Sequence, residues 1–457
     1  MSSSLSSPAA TSPAPPRLRR SLTLWDLVFY GIILIQPTAP MPLFGVVSME
    51  ARGHVVTTIL IAMAAMLLTA ISYGRMARAY PSAGSAFTYV GREIHPALGY
   101  LTGWSMAMDY MLNPILCTVW CSKAALNILP EVPYPFWVCF FATLFTSLNL
   151  RGVRSSARTN QWLAIIMGVV VGWFFVAAAR FLWGPASSGP IDYWKPFYDS
   201  STFSFPLVLT GTSIAALTYI GFDGISTLSE EVENPKRNIL LATVLTCVIT
   251  GILASLEVYA GQLIWGNYHS FPDVDTAFVH VAGRAGGPLL FQVLNLTLLV
   301  ASIGSGAGSQ LGAARLLYGM GRENAIPRGF FGVIDPKRHI PRNNVLFVGG
   351  LALLGGFVLS YQLSAELLNF GAFIAFIGVN LASFTRYWLR AEKKTFLNAL
   401  MPLLGALICF YIWLNLRGPA KLAGGAWVAV GLVYGAIKTG GFRRNLLTFK
   451  IPEEESP

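Results

Sequence analysis

The sequence predicts an all-α multi-span membrane protein with about twelve transmembrane helices, on three observations. The chain of 457 residues is 54% hydrophobic and only 12% charged. Apolar runs of roughly 20 residues, the length that crosses a bilayer, recur along it. Its 32 Lys and Arg residues alternate in density from one connecting segment to the next, as the positive-inside rule describes.

The spans fall, in order, at about 24–47, 55–78, 96–128, 134–150, 160–183, 205–230, 238–266, 286–318, 343–361, 366–390, 396–416 and 422–440. With the N-terminus inside, only Arg52, Lys123, Arg180, Lys195, Arg284, Arg417 and Lys421 lie on the outer side, and every other basic residue lies on the inner one. Both termini are therefore expected in the cytoplasm, with the chain in the plasma (cell inner) membrane as a multi-pass protein. The net charge of +11 follows from that asymmetry and needs no nucleic acid, because the basic residues are spread over inner loops.

The opening "MSSSLSSPAATSPAPP" is Ser, Pro and Ala without an apolar core, which reads as a disordered tail and not as a signal peptide. Cys117, Cys121, Cys139, Cys247 and Cys409 all fall in spans, where cysteine packs as a small apolar residue. Cys117 and Cys121 are one turn apart but lack the further ligands that zinc takes, so neither metal nor cofactor is expected. The longest loops are too short for a catalytic domain, and no HExxH, GxSxG or phosphate-loop pattern occurs, so the chain does not read as an enzyme. No repeated filter-like segment speaks for a channel. Transport is the reading that remains.

Polar residues inside the spans carry the rest. In span 1, "IILIQPTAPMPLFG" puts Gln36, Pro37, Thr38 and Pro40 at mid-depth. Pro37 and Pro40 lack N–H groups, which frees carbonyls near Ile33 and Gln36 that lipid cannot satisfy. A proline kink is the plain alternative. In span 6, Gly221 and Gly224 flank Phe222 and Asp223, where glycine weakens a helix and an acid needs compensation. Interrupted segments at the first position of two five-span halves are the sequence sign of a central site in an inverted-repeat transporter.

The stretches "AISYGRMARAYPSAGSAFTYV" (70–90), "GYLTGWSMAMDYMLNP" (99–114), "GFDGISTLSEE" (221–231), "AARLLYGMGRENAIP" (313–327) and "LLNFGAFIAFIGVNLASF" (367–384) resemble the amino acid, polyamine and organocation (APC) transporter superfamily. Within it the chain is most similar to the bacterial putrescine importers. The resemblance implies a LeuT-like five-plus-five inverted repeat with helices 1 and 6 broken, and alternating access around a site between spans 1, 3, 6, 8 and 10. It divides the chain into a tail (1–20), a first repeat (21–195), a second repeat (196–391), two peripheral helices (392–440) and a second tail (441–457). Some proton-coupled members place a lysine in span 5, seven residues after an asparagine resembling Asn160; here that position is Met167.

Substrate chemistry follows from the residues. Two of the five positions from Gln36 to Pro40 have no N–H, which makes a poor carboxylate cradle and a better ammonium seat. A diamine needs compensation for two charges. Asp109 and Asp223 are the expected ends of that site, with Asn113 on the same face as Asp109 and with Tyr110 and Phe222 as cation–π partners or as core packing. Asp223 has a capping role as its alternative, and Asp109 a hydrogen bond to Asn113 or a neighbouring span. Glu257 is a candidate for coupling or for an outer vestibule. Ser302 and Ser305, with Ser309, are candidates for a coupling ion or for close helix packing. Glu230, Glu231 and Glu233, beside Lys236 and Arg237, read as an inner gate or a solvated ion-pair cluster. The expected function is import of putrescine or a related polyamine, linked to protons or sodium. An amino acid permease is the alternative, followed by a channel-like facilitator and a sensor of transporter fold.

Overall fold

Lipid offers a backbone no hydrogen bonds, so each crossing segment has to satisfy its own N–H and C=O groups. The described chain does so with helices and turns, apart from one isolated bridge between Leu22 and Val232. The computed structural model describes residues 22–80, 85–151, 157–184, 191–228, 232–322, 326–336, 338 and 340–441. The tail expected at 1–20, all but Gly441 of the tail expected at 441–457, and Glu230 and Glu231 lie outside the described residues.

Span 1 is split into Leu24–Ile35 and Phe44–Glu50; span 2 is Val55–Ala79, span 3 Pro96–Leu126, span 4 Tyr134–Leu150 and span 5 Ala157–Trp183. Span 6 begins as Phe205–Ala215 and continues as two 3-10 segments, Ala216–Tyr219 and Phe222–Leu228. Span 7 is Pro235–Ile264, span 8 Ala277–Arg322, span 9 Arg342–Val358 and span 10 Tyr361–Phe384, which ends in a π-turn at Thr385–Leu389. Spans 11 and 12 are Phe396–Leu414 and Gly418–Thr439. Among the described residues eight helices are long and apolar enough to cross a membrane alone.

Several features lie outside the expected spans, among them a 3-10 turn at Tyr268–Ser270 and a short helix at Arg328–Phe331. A helix at Ser85–Glu93 joins spans 2 and 3. Span 8 begins at Ala277 and not near 286, because a short helix bends into it at Gly287, whose φ of +78° only glycine takes readily, just before Pro288.

Several spans of the first five pack on their counterparts in the second five. Span 2 lies along span 7, span 3 along span 8, and the break of span 1 against that of span 6. Thr243 Oγ1 in span 7 donates to Ala70 O in span 2 at 3.4 Å, and an added Cβ on Gly74 would meet Leu240 at 2.6 Å. Span 10 closes over this arrangement against span 3, and the peripheral spans 11 and 12 pack outside it. Trp104 and Trp427 stack at 4.8 Å, each indole N–H bonded to the other's carbonyl, which fastens span 12 to span 3.

Buried acids at the ends of the bundle carry their own cations. Glu93 takes Arg386 at 2.7 Å and Arg390 at 2.9 Å, tying the short linking helix to the end of span 10. Glu366 at the other end of span 10 is bonded by Arg417, which also reaches Glu50 at 3.6 Å.

Candidate functional site

The first half of span 1 starts on a capping box, in which Thr23 N donates to Asp26 and Asp26 N to Thr23 Oγ1. It ends at Ile35 because Pro37 has no N–H for the carbonyl of Ile33. Gln36 then turns the chain at φ +71°, a conformation that costs a non-glycine residue about 1–3 kcal/mol and is retained where the surroundings enforce it. Its Nε2 donates to Ala301 O of span 8 at 3.3 Å. Short turns follow, with Ala39 N donating to Gln36 O, Met41 N to Thr38 O and Leu43 N to Pro40 O. The carbonyl of Gln36, expected free, is thus occupied. Among the described residues no backbone N–H reaches the carbonyls of Ile33, Leu34 or Ile35, which form the negative end of the first half-helix.

Span 6 breaks by the opposite chemistry. Gly221 has φ +123°, and an added Cβ would lie 3.4 Å from the carbonyl carbon of Leu34. At Gly224 it would lie 2.7 Å from the Leu34 side chain. The two breaks therefore abut. The backbone N–H groups of Gly221, Gly224 and Asp223 itself lie near the Asp223 carboxylate, the neighbourhood a cap has at a helix start, while Gly224 N donates to Gly221 O at 3.1 Å.

Between the breaks lies a cavity of about 140 Å³. Span 1 contributes Leu34, Ile35, Gln36 and Thr38; span 3 contributes Asp109, Asn113, Cys117 and Trp120; span 8 contributes Ala301, Ser302 and Ser305; Ile220 of span 6 and Tyr361 of span 10 complete the wall. At this size it suits a compact, unbranched ligand, since sites for drug-sized molecules run to ~300–1,000 Å³.

The polar groups of the wall are unequal. Asn113 donates to Ser309 and, at 3.4 Å, to Ser305, and Cys117 donates to Asn113 Oδ1 at 3.7 Å. Thr38 Oγ1 lies 3.6 Å from the sulfur of Met167 in span 5. Asp109 is different: it lines the cavity, and among the described residues no donor reaches its carboxylate. It lies within electrostatic reach of Asp223.

Of the residues expected at the site, the structure brings Gln36, Thr38, Asp109, Asn113, Ser302 and Ser305 to the cavity wall. Pro37 is buried beside it within the break. Gly221 and Asp223 form the neighbouring break but do not line the cavity. Phe222 is fully buried, with its ring 5.5 Å from both Tyr73 and Phe376. Tyr110 lies against Gly312, at 3.3 Å from a Cβ built there. Glu257 is wholly buried in span 7, away from the cavity. Glu233 N bonds Leu22 O at 2.9 Å, joining the end of span 6 to the start of span 1.

Sequence reasoning missed Trp120 and Tyr361. Trp120 was within reach, because 109, 113, 117 and 120 share one helical face. Its indole N–H donates to Asp275 O at 3.0 Å, which closes the cavity on the side of the loop before span 8. Near the end of span 3, Lys123 pairs with Asp273 at 3.4 Å and Asp275 at 3.9 Å in the loop before span 8. Burial and the neighbouring Asp273 carboxylate push Asp275 up to about 6, against the opposing pull of Lys123. Among the described residues no three His, Cys, Asp or Glu side chains gather as a metal site would need.

Similarities to known proteins cover nearly the whole chain. The model of the family described as Amino acid permease matches residues 27–423. The low-affinity putrescine importer PlaP of Escherichia coli K12 is 34% identical over 93% of this chain and 95% of its own length. The branched-chain amino acid permease BcaP of Bacillus subtilis is 24% identical over 93% of this chain and 94% of its own. A crystal structure of a mutant manganese transporter from Eremococcus coleocola superposes with a TM-score of 0.55 at 13% identity, covering 92% of this chain and 96% of that one.

Proposed function

The chain belongs to the amino acid permease family of membrane transporters, and from that premise we propose that it imports a small organic cation, putrescine or a related polyamine, across the plasma membrane by alternating access linked to protons. Both termini face the cytoplasm in this reading, as the distribution of Lys and Arg favours.

The observation that carries the proposal is Asp109, a carboxylate without a donor in a small cavity between two broken helices. An unpaired charge in the bilayer core is costly, and a cationic ligand removes that cost by supplying the missing partner. One ammonium group of a diamine meets Asp109. The other is served by the donor-free carbonyls of Ile33, Leu34 and Ile35, with Gln36 Oε1 and the hydroxyls of Ser302 and Ser305 as further acceptors. Asp223, beside the backbone of the span 6 break, acts through space on the bound charge.

Similarity to the putrescine importer supports the substrate class. Similarity to the branched-chain permease favours the second reading, an amino acid whose α-ammonium meets Asp109. Against it stands the wall near span 1, where Thr38 alone among residues 36–41 has an N–H without a backbone acceptor; a carboxylate wants several.

Energetics permit accumulation of a dication without help: at ~100 mV, interior negative, it gains about 4.6 kcal/mol on entry. Uptake of labelled putrescine into proteoliposomes, with unlabelled amines and amino acids as competitors, tests the proposal. Cadaverine should compete and leucine should not; stronger competition by leucine than by cadaverine rejects the diamine.

A further inference from the structure

Three acids are wholly buried in the described chain, and two of them have cationic partners. Glu93 holds Arg386 and Arg390, and Glu366 holds Arg417. Glu257 has none: its side chain is 0% exposed, and neither carboxylate oxygen meets a donor. A purely structural acid at the centre of a membrane bundle would be expected to resemble the other two, since burial of an unmatched carboxylate has no return in packing.

Its position is bracketed by its neighbours on span 7. Thr246, Thr250, Glu257 and Gly261 recur at helical spacing on one side of that helix. Thr246 faces the first half of span 1, donating to Val28 O at 3.5 Å, and an added Cβ on Gly31 would meet its hydroxyl at 2.7 Å. Gly261 faces Phe44, where the second half begins, with 3.2 Å to a Cβ built there. Glu257 lies between these two contacts, at the level of the break from Gln36 to Leu43. That break contains Pro37, Pro40 and Pro42 and is rich in carbonyls and poor in N–H groups. Among the described residues no donor reaches either oxygen of Glu257 at that level.

Other charges do not compensate. Titratable groups on the elements packed against span 7 include Asp26 of span 1, Arg75 and Arg78 of span 2, Arg180 of span 5, Asp223 of span 6, and His280 and Arg284 of the span 8 helix. Among the described residues none of them forms an ion pair or hydrogen bond with Glu257.

We propose that Glu257 is the proton-binding site of the transport cycle, carrying a proton while the first half of span 1 packs against span 7 as it does here, and releasing it when movement of that half admits water to the break. The inference rests on the import reading. It places the proton on span 7, against which the first half of span 1 packs, and the substrate at the cavity that the break of span 1 lines, so each biases movement of that half, and linkage requires the coupling to be reciprocal. Glu257 is in this account a positioning and proton-carrying residue and does not touch the amine.

The test uses purified protein in proteoliposomes with a trapped pH dye and the membrane potential clamped at zero. With the outside one pH unit more acid, the wild type should concentrate putrescine about tenfold per coupled proton and acidify the lumen as it does so. Glu257→Gln, a neutral isostere, should retain exchange of external labelled for internal unlabelled putrescine while losing both gradient-driven accumulation and lumen acidification. Accumulation and acidification by Glu257→Gln at the wild-type level would overturn the proposal. So would net putrescine uptake by the wild type that neither acidifies the lumen nor responds to the pH gradient, a result that needs no variant and leaves the import reading intact. Absence of putrescine exchange in the wild type would reject the import reading itself.

Discussion

The two broken helices at the centre of this protein interrupt themselves in opposite ways. Span 1 breaks at prolines, which delete donors and leave the carbonyls of Ile33, Leu34 and Ile35 open. Span 6 breaks at Gly221, which keeps its N–H; the N–H of Gly224 there is taken by Gly221 O, and the Asp223 carboxylate lies beside these donors. One break is an acceptor without a partner, and the other is already satisfied from within its own chain. The difference shows how a pseudo-symmetric frame makes an asymmetric site: beside Asp109, the side of the cavity near span 1 is negative in character, while the N–H groups that could have held a carboxylate are taken.

The comparison can be broken most severely at Asp109. Removing one member of a buried ion pair costs about 3–5 kcal/mol, so Asp109→Asn should lower putrescine affinity by roughly 10²–10⁴ while the protein is still made and folded. Binding to the purified variant would show it, and near-wild-type affinity would take Asp109 out of the site. Pro37→Ala restores an N–H four residues after Ile33 and should extend the half-helix over one open carbonyl. Helix-terminal charge effects of about 0.3–2 kcal/mol set the expected loss at up to ~30-fold, with cation binding weakened and leucine competition strengthened. An unchanged ratio of the two ligands would mean that the carbonyl end plays no part.

Asp223 should respond less and in a different manner. Asparagine is as good a cap as aspartate, and alanine costs about 0.5–2 kcal/mol, so Asp223→Asn should keep most uptake while Asp223→Ala loses thermal stability. If Asp223→Asn abolished binding as fully as Asp109→Asn, the carboxylate would have to serve the substrate directly. The smallest effect belongs to the loop outside the cavity. Asp275 holds its proton up to about pH 6, above its ordinary 3.8, so the folded state favours the protonated acid. This contribution to stability is complete below about pH 4 and is lost as pH rises through about 6. Melting of the detergent-solubilised protein should therefore fall over that interval, and Asp275→Asn should flatten the slope; an equal slope in the variant would assign it elsewhere.

Much of this was legible in the residues. Runs of apolar sequence gave the spans, and the paired interruptions at Gln36–Pro40 and Gly221–Gly224 gave the place of the site, because a bilayer tolerates such interruptions only beside a cavity. Asp109 and Asn113 followed from spacing on one helix. What stayed hidden depends on chain folding back over short distances or across long ones. Whether a side chain such as Asp223 caps its own backbone or points outward is a rotamer choice that composition does not record. Gln36 O being used by Ala39 N is a turn geometry of the same kind. Tyr361 reaches the wall from more than 200 residues beyond Asp109, at the first residue of span 10, where no periodic signal marks it. Phe222 carried a family-like motif and an attractive ring, yet the space beside Tyr73 and Phe376 is where that ring buries most surface.

Equilibrium binding of labelled putrescine to the purified protein, displaced in turn by cadaverine and by leucine and repeated with Asp109→Asn, tests the central claim most directly. The account predicts displacement by cadaverine, little by leucine, and no measurable binding to Asp109→Asn. Displacement by leucine at lower concentration than cadaverine, or wild-type binding of putrescine to Asp109→Asn, would contradict it.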